Sequence, residues 1–359
     1  MNKFRTNGFV DNIIAYKPGK SALDFGNKSL IKLSSNENPF GSAISEKELM
    51  SCYQNLERYT NTNENSLINA ISDYHNVDKE SILLGNGSDE LFGFVAQAFL
   101  NYETEALTSD HTFSVYKSVT QIMGASYKTT PMKNYGYDLS KILDAVTDKT
   151  SVIFIANPNN PTGSFLTYSE LASFLNKLPT DIVVVLDEAY KEYVQVEDPS
   201  KSLQLLAEYK NVIITRTFSK MYGLAGLRLG YAISSPEIIS LLKKIKPPFN
   251  INSIALQVGV KALLNSSFVE KSYNNNRDGL TQFYNTAKEL SVEILPSQAN
   301  FICLINNKYT GTELFDLFAQ EGYIIRDLTS FGLANGIRIT IGSKHDVDAC
   351  VKILNNFFN

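Results

Sequence analysis

Val212-Ile213-Ile214-Thr215-Arg216-Thr217-Phe218-Ser219-Lys220-Met221-Tyr222-Gly223-Leu224-Ala225-Gly226-Leu227-Arg228 is the stretch from which the chain's organisation can be read. Its first three residues are apolar and β-branched, the pattern of a buried strand. The run then breaks into hydroxyls, one lysine, two glycines and an arginine. Open α/β sheets bind ligands outside the carboxyl ends of their strands, so a buried strand ending in such a cluster points to a site. Desolvation there lowers an amine's pKa toward the nucleophilic free base, which singles out Lys220. Arg228 is a fixed cation suited to a phosphate. Gly223 and Gly226 are expected to let the backbone between them turn tightly. A surface lysine after an edge strand would fit this stretch alone equally well.

Two upstream strands decide between those readings. Ser151-Val152-Ile153-Phe154-Ile155 runs into Ala156-Asn157-Pro158-Asn159-Asn160-Pro161-Thr162-Gly163, and Ile182-Val183-Val184-Val185-Leu186 runs into Asp187-Glu188-Ala189-Tyr190. Continuous apolar runs of this kind suit strands buried on both faces of a parallel sheet. Helical patterns at Tyr168–Lys177 and Leu203–Tyr209 separate the three strands, giving βαβαβ. Right-handed crossovers then place Asn160, Asp187 and Lys220 on one rim. These three types fit one task. A carboxylate keeps a pyridine nitrogen protonated, Asn160 or Tyr190 donates to a phenolic oxygen, and Lys220 binds a carbonyl and later moves protons. Together with a phosphate clamp they indicate a pyridoxal phosphate site.

Other stretches supply candidates. Ser81-Ile82-Leu83-Leu84-Gly85-Asn86-Gly87-Ser88-Asp89 is a short strand, a Gly-rich turn and a helix start, which suits a phosphate at a helix N-terminus, although an ordinary N-cap by Ser88 or Asp89 reads alike. No Gly-Lys-Ser/Thr makes it an NTP-binding loop. An aromatic within His111-Thr112-Phe113-Ser114-Val115-Tyr116 could cover a planar ring, though such residues are more often core. Residues 1–44 are irregular, with turns at Tyr16-Lys17-Pro18-Gly19-Lys20 and Ser34-Ser35-Asn36-Glu37-Asn38-Pro39, and a short strand at Ile31-Lys32-Leu33. Helices are expected at Glu46–Leu56, Ser66–His75 and, as one long stretch, Ser253–Leu290. Near the C-terminus, Arg326 ends one apolar run and Arg338 sits within another. A cation there needs an anion, either a ligand or a helix carboxylate.

The 359 residues carry 33 basic and 37 acidic side chains, a net charge of -4. That balance argues against nucleic acid or an acidic membrane as the main partner. Three scattered cysteines and three histidines without ligand spacing argue against a disulfide framework or a metal site. No apolar run reaches membrane-spanning length, and Met1-Asn2-Lys3-Phe4-Arg5 has no apolar core behind it, so a cytoplasmic location is expected.

These motifs, spread over nearly the whole chain, resemble the fold-type I pyridoxal phosphate aminotransferases. Asn36-Glu37-Asn38-Pro39 at one end and Arg338-Ile339-Thr340-Ile341-Gly342 at the other are similar to the histidinol-phosphate subgroup. The resemblance implies an α/β architecture: a large domain with a mostly parallel seven-stranded sheet between helices, and a smaller α+β domain. Its divisions would be an arm over 1–44, a cofactor domain over 45–250, and a bridging helix with the small domain over 251–359. It also implies roles by position. Lys220 would hold the cofactor and Asp187 would pair with its ring nitrogen. Asn160 and Tyr190 would contact the ring oxygen, and Phe113 would lie on the ring. Gly87, Ser88, Asp89, Thr217, Ser219 and Arg228 would hold its phosphate. Tyr59 would reach the phosphate in a neighbouring subunit, which implies a homodimer with shared sites. Thr60 follows Tyr59 where the family has proline. Tyr16, Asn36, Arg326 and Arg338 would line the substrate pocket, the arginines serving a substrate phosphate and the glutamate carboxylate in turn. The implied reaction is transamination between histidinol phosphate and 2-oxoglutarate. Aromatic amino-acid transamination and threonine-phosphate decarboxylation remain open on the same scaffold. A non-enzymatic cofactor-binding regulator would need a DNA-binding module, for which no basic helix-turn-helix pattern is present.

Overall fold

The computed structural model describes residues 7–10, 13, 30–53, 56–60 and 66–358. Tyr16 lies outside them. A seven-stranded sheet organises the larger part, in the order Ile82–Gly85, Gly230–Ser234, Val212–Thr217, Val183–Asp187, Thr150–Ala156, Glu105–Ser109, Ser126–Thr130. Only Gly230–Ser234 runs against the others.

The central strands are apolar on both faces because both are covered. Val183 and Val185 pack with Phe92, Val95, Ile239 and Leu242, from helices Ser88–Phe99 and Pro236–Ile245. Val184 and Leu186 face the opposite layer, against Leu171, Phe174 and Leu175 of helix Tyr168–Leu175. Strand alternation thus serves two cores at once. A second sheet, wholly antiparallel, orders Arg326–Asp327, Gly336–Thr340, Phe301–Ile305 and Glu293–Ile294. Helices Ser266–Leu290, Gly311–Gln320 and Lys344–Phe358 bury it through Phe283, Phe315, Phe318 and Leu354.

Several boundaries differ from the sequence reading. The expected single helix over Ser253–Leu290 is two, Ser253–Leu263 and Ser266–Leu290. Asn265 breaks it: its Oδ1 accepts from the Phe268 N–H at 3.1 Å, and its Nδ2 donates to the Ala43 carbonyl at 2.7 Å. The helix expected to reach Leu56 covers Glu46–Ser51 and stops where the Gln257 amide takes the Cys52 carbonyl. The run Tyr323-Ile324-Ile325-Arg326 divides between two sheets: Tyr323–Ile324 pairs in parallel with Ile31–Lys32, whereas Arg326–Asp327 joins the antiparallel sheet. Strand Ser126–Thr130 was not anticipated, since as a polar, mostly exposed edge it lacks an apolar pattern.

The segment after Ile31–Lys32 ties the two sheets together. Leu33 O accepts from Thr340 N at 2.9 Å, Asn38 Nδ2 donates to Met221 O at 2.8 Å, and Ala43 N donates to Tyr222 O at 3.0 Å. The tie needs Gly223. Its φ is +63°, and a Cβ there would lie 1.8 Å from the Gly41 carbonyl oxygen. Gly226 meets no such demand, because a Cβ would find nothing within 4 Å. The left-handed residue of that turn is Arg228, at φ 51°.

Gly223→Ala is accordingly expected to destabilise the fold by about 3 kcal/mol or more, and Gly226→Ala by less than about 0.5 kcal/mol. Denaturant unfolding of the two variants checks this; equal effects would contradict it.

Candidate active site

Three parallel strands end side by side. Ala156 is the register partner of Asp187, and Asp187 that of Thr215. The loops leaving them carry Asn160, Tyr190 and Lys220 to one cavity of about 260 Å³, as the crossover argument requires. Ser88, Asp89, Phe113, Thr217, Ser219, Arg228, Asn36, Arg326 and Arg338 also border it.

Lys220 donates from Nζ to the Ser35 carbonyl at 2.8 Å. Burial, helped by the Arg338 cation, lowers its pKa to about 8. Its free-base share near neutrality is therefore larger than that of an exposed lysine. Asp187 is buried; its Oδ2 accepts from the Tyr116 hydroxyl at 2.7 Å and its Oδ1 from the Ala189 N–H at 3.2 Å. Burial outweighs these two donors, and its pKa rises to about 7. A carboxylate so placed is suited to a cation brought in beside it.

Asn160 and Tyr190 are oriented as donors. The Asn160 Oδ1 accepts from Arg338 Nη1, which turns the Nδ2 end to the other side. The Tyr190 oxygen accepts from Asn36 Nδ2 at 2.9 Å, so its own proton is the one it gives. Asn36 is itself held by Thr340, whose Oγ1 accepts from the Asn36 N–H at 3.0 Å.

Gly87, at φ 81°, caps the 12-residue helix Ser88–Phe99. A Cβ on Gly87 would come 2.3 Å from Arg228 Nη2, so only glycine admits the guanidinium here. Arg228 meets Asp89 at 3.2 Å in a half-exposed pair. The Thr217 hydroxyl donates to Ser219 Oγ at 3.0 Å and accepts the Ser219 N–H at 3.1 Å. Helix N–H groups, hydroxyls and one guanidinium form a cup for a phosphate. Phe113 stands edge-on to Tyr116, ring centroids 5.6 Å apart. The donor set fits pyridoxal phosphate: a carboxylate for the ring nitrogen, two donors for the ring oxygen, a lysine, an aromatic face and an anion cup.

At the other end, Arg326 and Arg338 are Cα partners across antiparallel strands. Arg338 is buried and donates from Nη2 to the Ser34 carbonyl at 2.6 Å. Tyr59 does not border the cavity. It is 85% exposed and stacks on Phe249 at 4.6 Å. Sequence reasoning missed Tyr116, which the Asp187 contact makes part of the site and which read as core, and the Ser34 and Ser35 carbonyls, which no residue-type signal reveals.

In the ligand-free protein Asp187 gives a pH signature. The unfolded carboxyl releases its proton near 3.8, the folded one near about 7, so stability falls as pH rises through that window. Asp187→Asn removes the effect. It is expected to be more stable than the parent at pH 8, by up to ~4 kcal/mol, with the gain vanishing toward pH 4. Denaturant unfolding across this range checks it; a gain that does not depend on pH would contradict it.

The family model described as "Aminotransferase class I and II" matches residues 28–354. The chain is 41% identical over 360 residues to histidinol-phosphate aminotransferase 1 of Mannheimia succiniciproducens, covering 98% of each protein. It is 38% identical over 347 residues to histidinol-phosphate aminotransferase of Bacillus velezensis, covering 94% of this chain and 96% of that one. Among solved structures, histidinol-phosphate aminotransferase from Sinorhizobium meliloti in complex with pyridoxal-5'-phosphate superposes with a TM-score of 0.88 at 24% identity, covering 98% of each chain. Aspartate aminotransferase from Thermus thermophilus with maleate does so at 0.80 and 17%, over 93% of this chain and 92% of that one, so the fold persists where sequence has diverged. With the motifs, the sheet order and the cavity all in place, the chain belongs to the class I and II aminotransferases, pyridoxal phosphate enzymes of fold type I.

Proposed function

We propose that this enzyme transfers the amino group of L-histidinol phosphate to 2-oxoglutarate, giving imidazole acetol phosphate and L-glutamate, a step of histidine biosynthesis. The observation that carries the reading is the pairing of Arg326 with Arg338 beside the cavity. Two guanidiniums on one face suit a phosphate dianion and can also take the carboxylate of glutamate. Relatives that carry this activity in their names match over nearly the full length.

In this reading the bound cofactor supplies a ring that accepts the electron pair left when the substrate's Cα–H proton departs. The chain's own residues do the rest. Lys220 holds the cofactor, and once displaced it carries the proton to and from the substrate carbon; its lowered pKa raises the free-base share available for that task. Asp187 pairs with the ring nitrogen. Asn160 and Tyr190 donate to the ring oxygen, and Phe113 covers the ring. Gly87, Ser88, Asp89, Thr217, Ser219 and Arg228 hold the phosphate. Asn36, Arg326 and Arg338 line the substrate side, and the family resemblance assigns Tyr16, outside the described residues, to the same role.

The same proposal makes the enzyme a cytoplasmic homodimer with shared sites, acting on small molecules without nucleic-acid or membrane partners. The exposure of Tyr59, stacked on Phe249, supports the reading that it reaches a second subunit. Among the described residues no helix is long and apolar enough to cross a membrane. The division into an arm over 1–44, a cofactor domain over 45–250 and a bridging helix with a small domain over 251–359 belongs to this reading. The break at Asn265 falls inside the bridge.

The direct test mixes the holoenzyme with histidinol phosphate and follows the cofactor's visible absorbance as it takes up the amino group. Conversion is expected to be fast, and far weaker with phenylalanine or threonine phosphate. No response to histidinol phosphate would redirect the assignment to those rivals. Lys220→Ala is expected to lose turnover and the enzyme-linked absorbance together. Arg338→Ala should lower kcat/KM roughly 100-fold for both histidinol phosphate and glutamate, because one guanidinium serves both. A loss confined to one substrate would refute the shared anion site.

A further inference from the structure

Tyr116 is fully buried on helix Val115–Ile122 and nothing in its position is loose. Its ring lies flat on Phe154, centroids 4.8 Å apart at 6°, and edge-on to Phe92 at 5.2 Å and Phe113 at 5.6 Å. The ring is boxed in, and its hydroxyl points at Asp187 Oδ2, 2.7 Å away. Phe113, the residue proposed to cover the cofactor ring, rests on the same phenol. One side chain thus touches both the face-packing aromatic and the carboxylate.

The groups around Asp187 give that hydroxyl its importance. Asp89 from helix Ser88–Phe99 and Glu188 on the same strand exit both disfavour its charge. Tyr137, also buried nearby, stays neutral. Lys220 borders the same cavity. The Ala189 N–H and the Tyr116 hydroxyl are the donors that favour the anion. Burial beside a carboxylate holds the Tyr116 phenol far from ionising, so it donates and does not compete for charge.

We propose that Tyr116 is a positioning residue for transamination: it orients the Asp187 carboxylate and keeps it the anion that pairs with the protonated ring nitrogen of the cofactor. The proposal rests on the reading of Asp187 given above. Without the hydroxyl, the proton shared between Asp187 and the ring nitrogen shifts toward the carboxylate, and the nitrogen loses its positive charge.

The test uses holoenzyme loaded with pyridoxal phosphate labelled with 15N in the ring. Tyr116→Phe keeps the stacked ring and removes one oxygen. Its ring-nitrogen chemical shift is expected to move from the protonated position toward that of Asp187→Asn. Its kcat should fall about 10-fold with KM for glutamate little changed, and the acid limb of its pH profile should move to higher pH. A variant carrying 4-aminophenylalanine at position 116, which keeps a para N–H donor at the same reach, should lie between parent and Tyr116→Phe. A folded Tyr116→Phe with the parent's nitrogen shift and pH profile would overturn the proposal. So would failure of both Tyr116 variants to give folded holoenzyme, since the role would then be structural. If Asp187→Asn leaves the nitrogen shift unmoved, the reading of Asp187 itself fails; if Asp187→Asn moves it and Tyr116→Phe does not, only Tyr116 is misassigned.

Discussion

A carboxylate held under cover at the end of a central strand sets the demands that the rest of the site meets. Asp187 follows four residues buried on both faces of the sheet, and burial alone would leave its side chain protonated through most of the physiological range. A buried charge is tolerated where it is hydrogen-bonded and paired. The Tyr116 and Ala189 donors supply the first condition, and in the proposed reading a cationic ring nitrogen would supply the second. The strand that creates the problem also supplies the solution to orientation: side chains alternate, so Asp187 faces the cavity while Glu188 turns away. There Glu188 meets Arg216 in a buried pair, Nη2 to Oε2 at 2.8 Å. Two adjacent acids thus have unlike partners, one structural and one left for a ligand.

Covering that carboxylate requires chain from both ends of the sequence. Residues 33–43 are bonded to the large sheet's loops through Asn38 and Ala43, and to the C-terminal sheet through Leu33 and Asn36. The same segment brings the Ser35 carbonyl to Lys220 and the Ser34 carbonyl to Arg338. Each is a backbone acceptor pointed at a cation. Along this path Asn36 takes φ 57° beside the cavity, and Gly41 at 75° and Gly223 at 63° admit left-handed backbone where the two pack together.

How much of this could be read from residue order follows the same physics. The central strands were legible because burial on both faces leaves an unbroken apolar run, and consecutive crossovers then forced Asn160, Asp187 and Lys220 onto one rim. The turn into helix Ser88–Phe99 was legible because glycines followed by a serine mark a helix start. Strand Ser126–Thr130 was not, because an exposed edge has no apolar signal. The break at Asn265 was not, because its cause is a side chain reaching the distant Ala43 carbonyl. Gly226 suggested a tight turn, yet the left-handed position fell two residues later on Arg228, where nothing in the residue type announces it. Tyr116 looked like any other core aromatic. What separates it from Phe92 or Phe154 is one hydroxyl directed across 71 residues of sequence.

The end of the cavity bordered by Arg326 and Arg338 shows the same logic with the sign reversed. Like charges facing each other on antiparallel strands weaken a sheet, yet Arg326 and Arg338 are register partners. Burial should make matters worse for Arg338. Its cost is reduced by the Ser34 carbonyl and the Asn160 amide, both neutral acceptors. The Arg338 cation in turn helps burial hold Lys220 toward its free base. An anion arriving between the arginines would remove their mutual repulsion and quench the field that depresses the lysine. In the proposed reading, occupation of an anion site at Arg338 and the proton affinity of Lys220 would be coupled: the end of the substrate that does not react would adjust the basicity of the group that must act on the end that does.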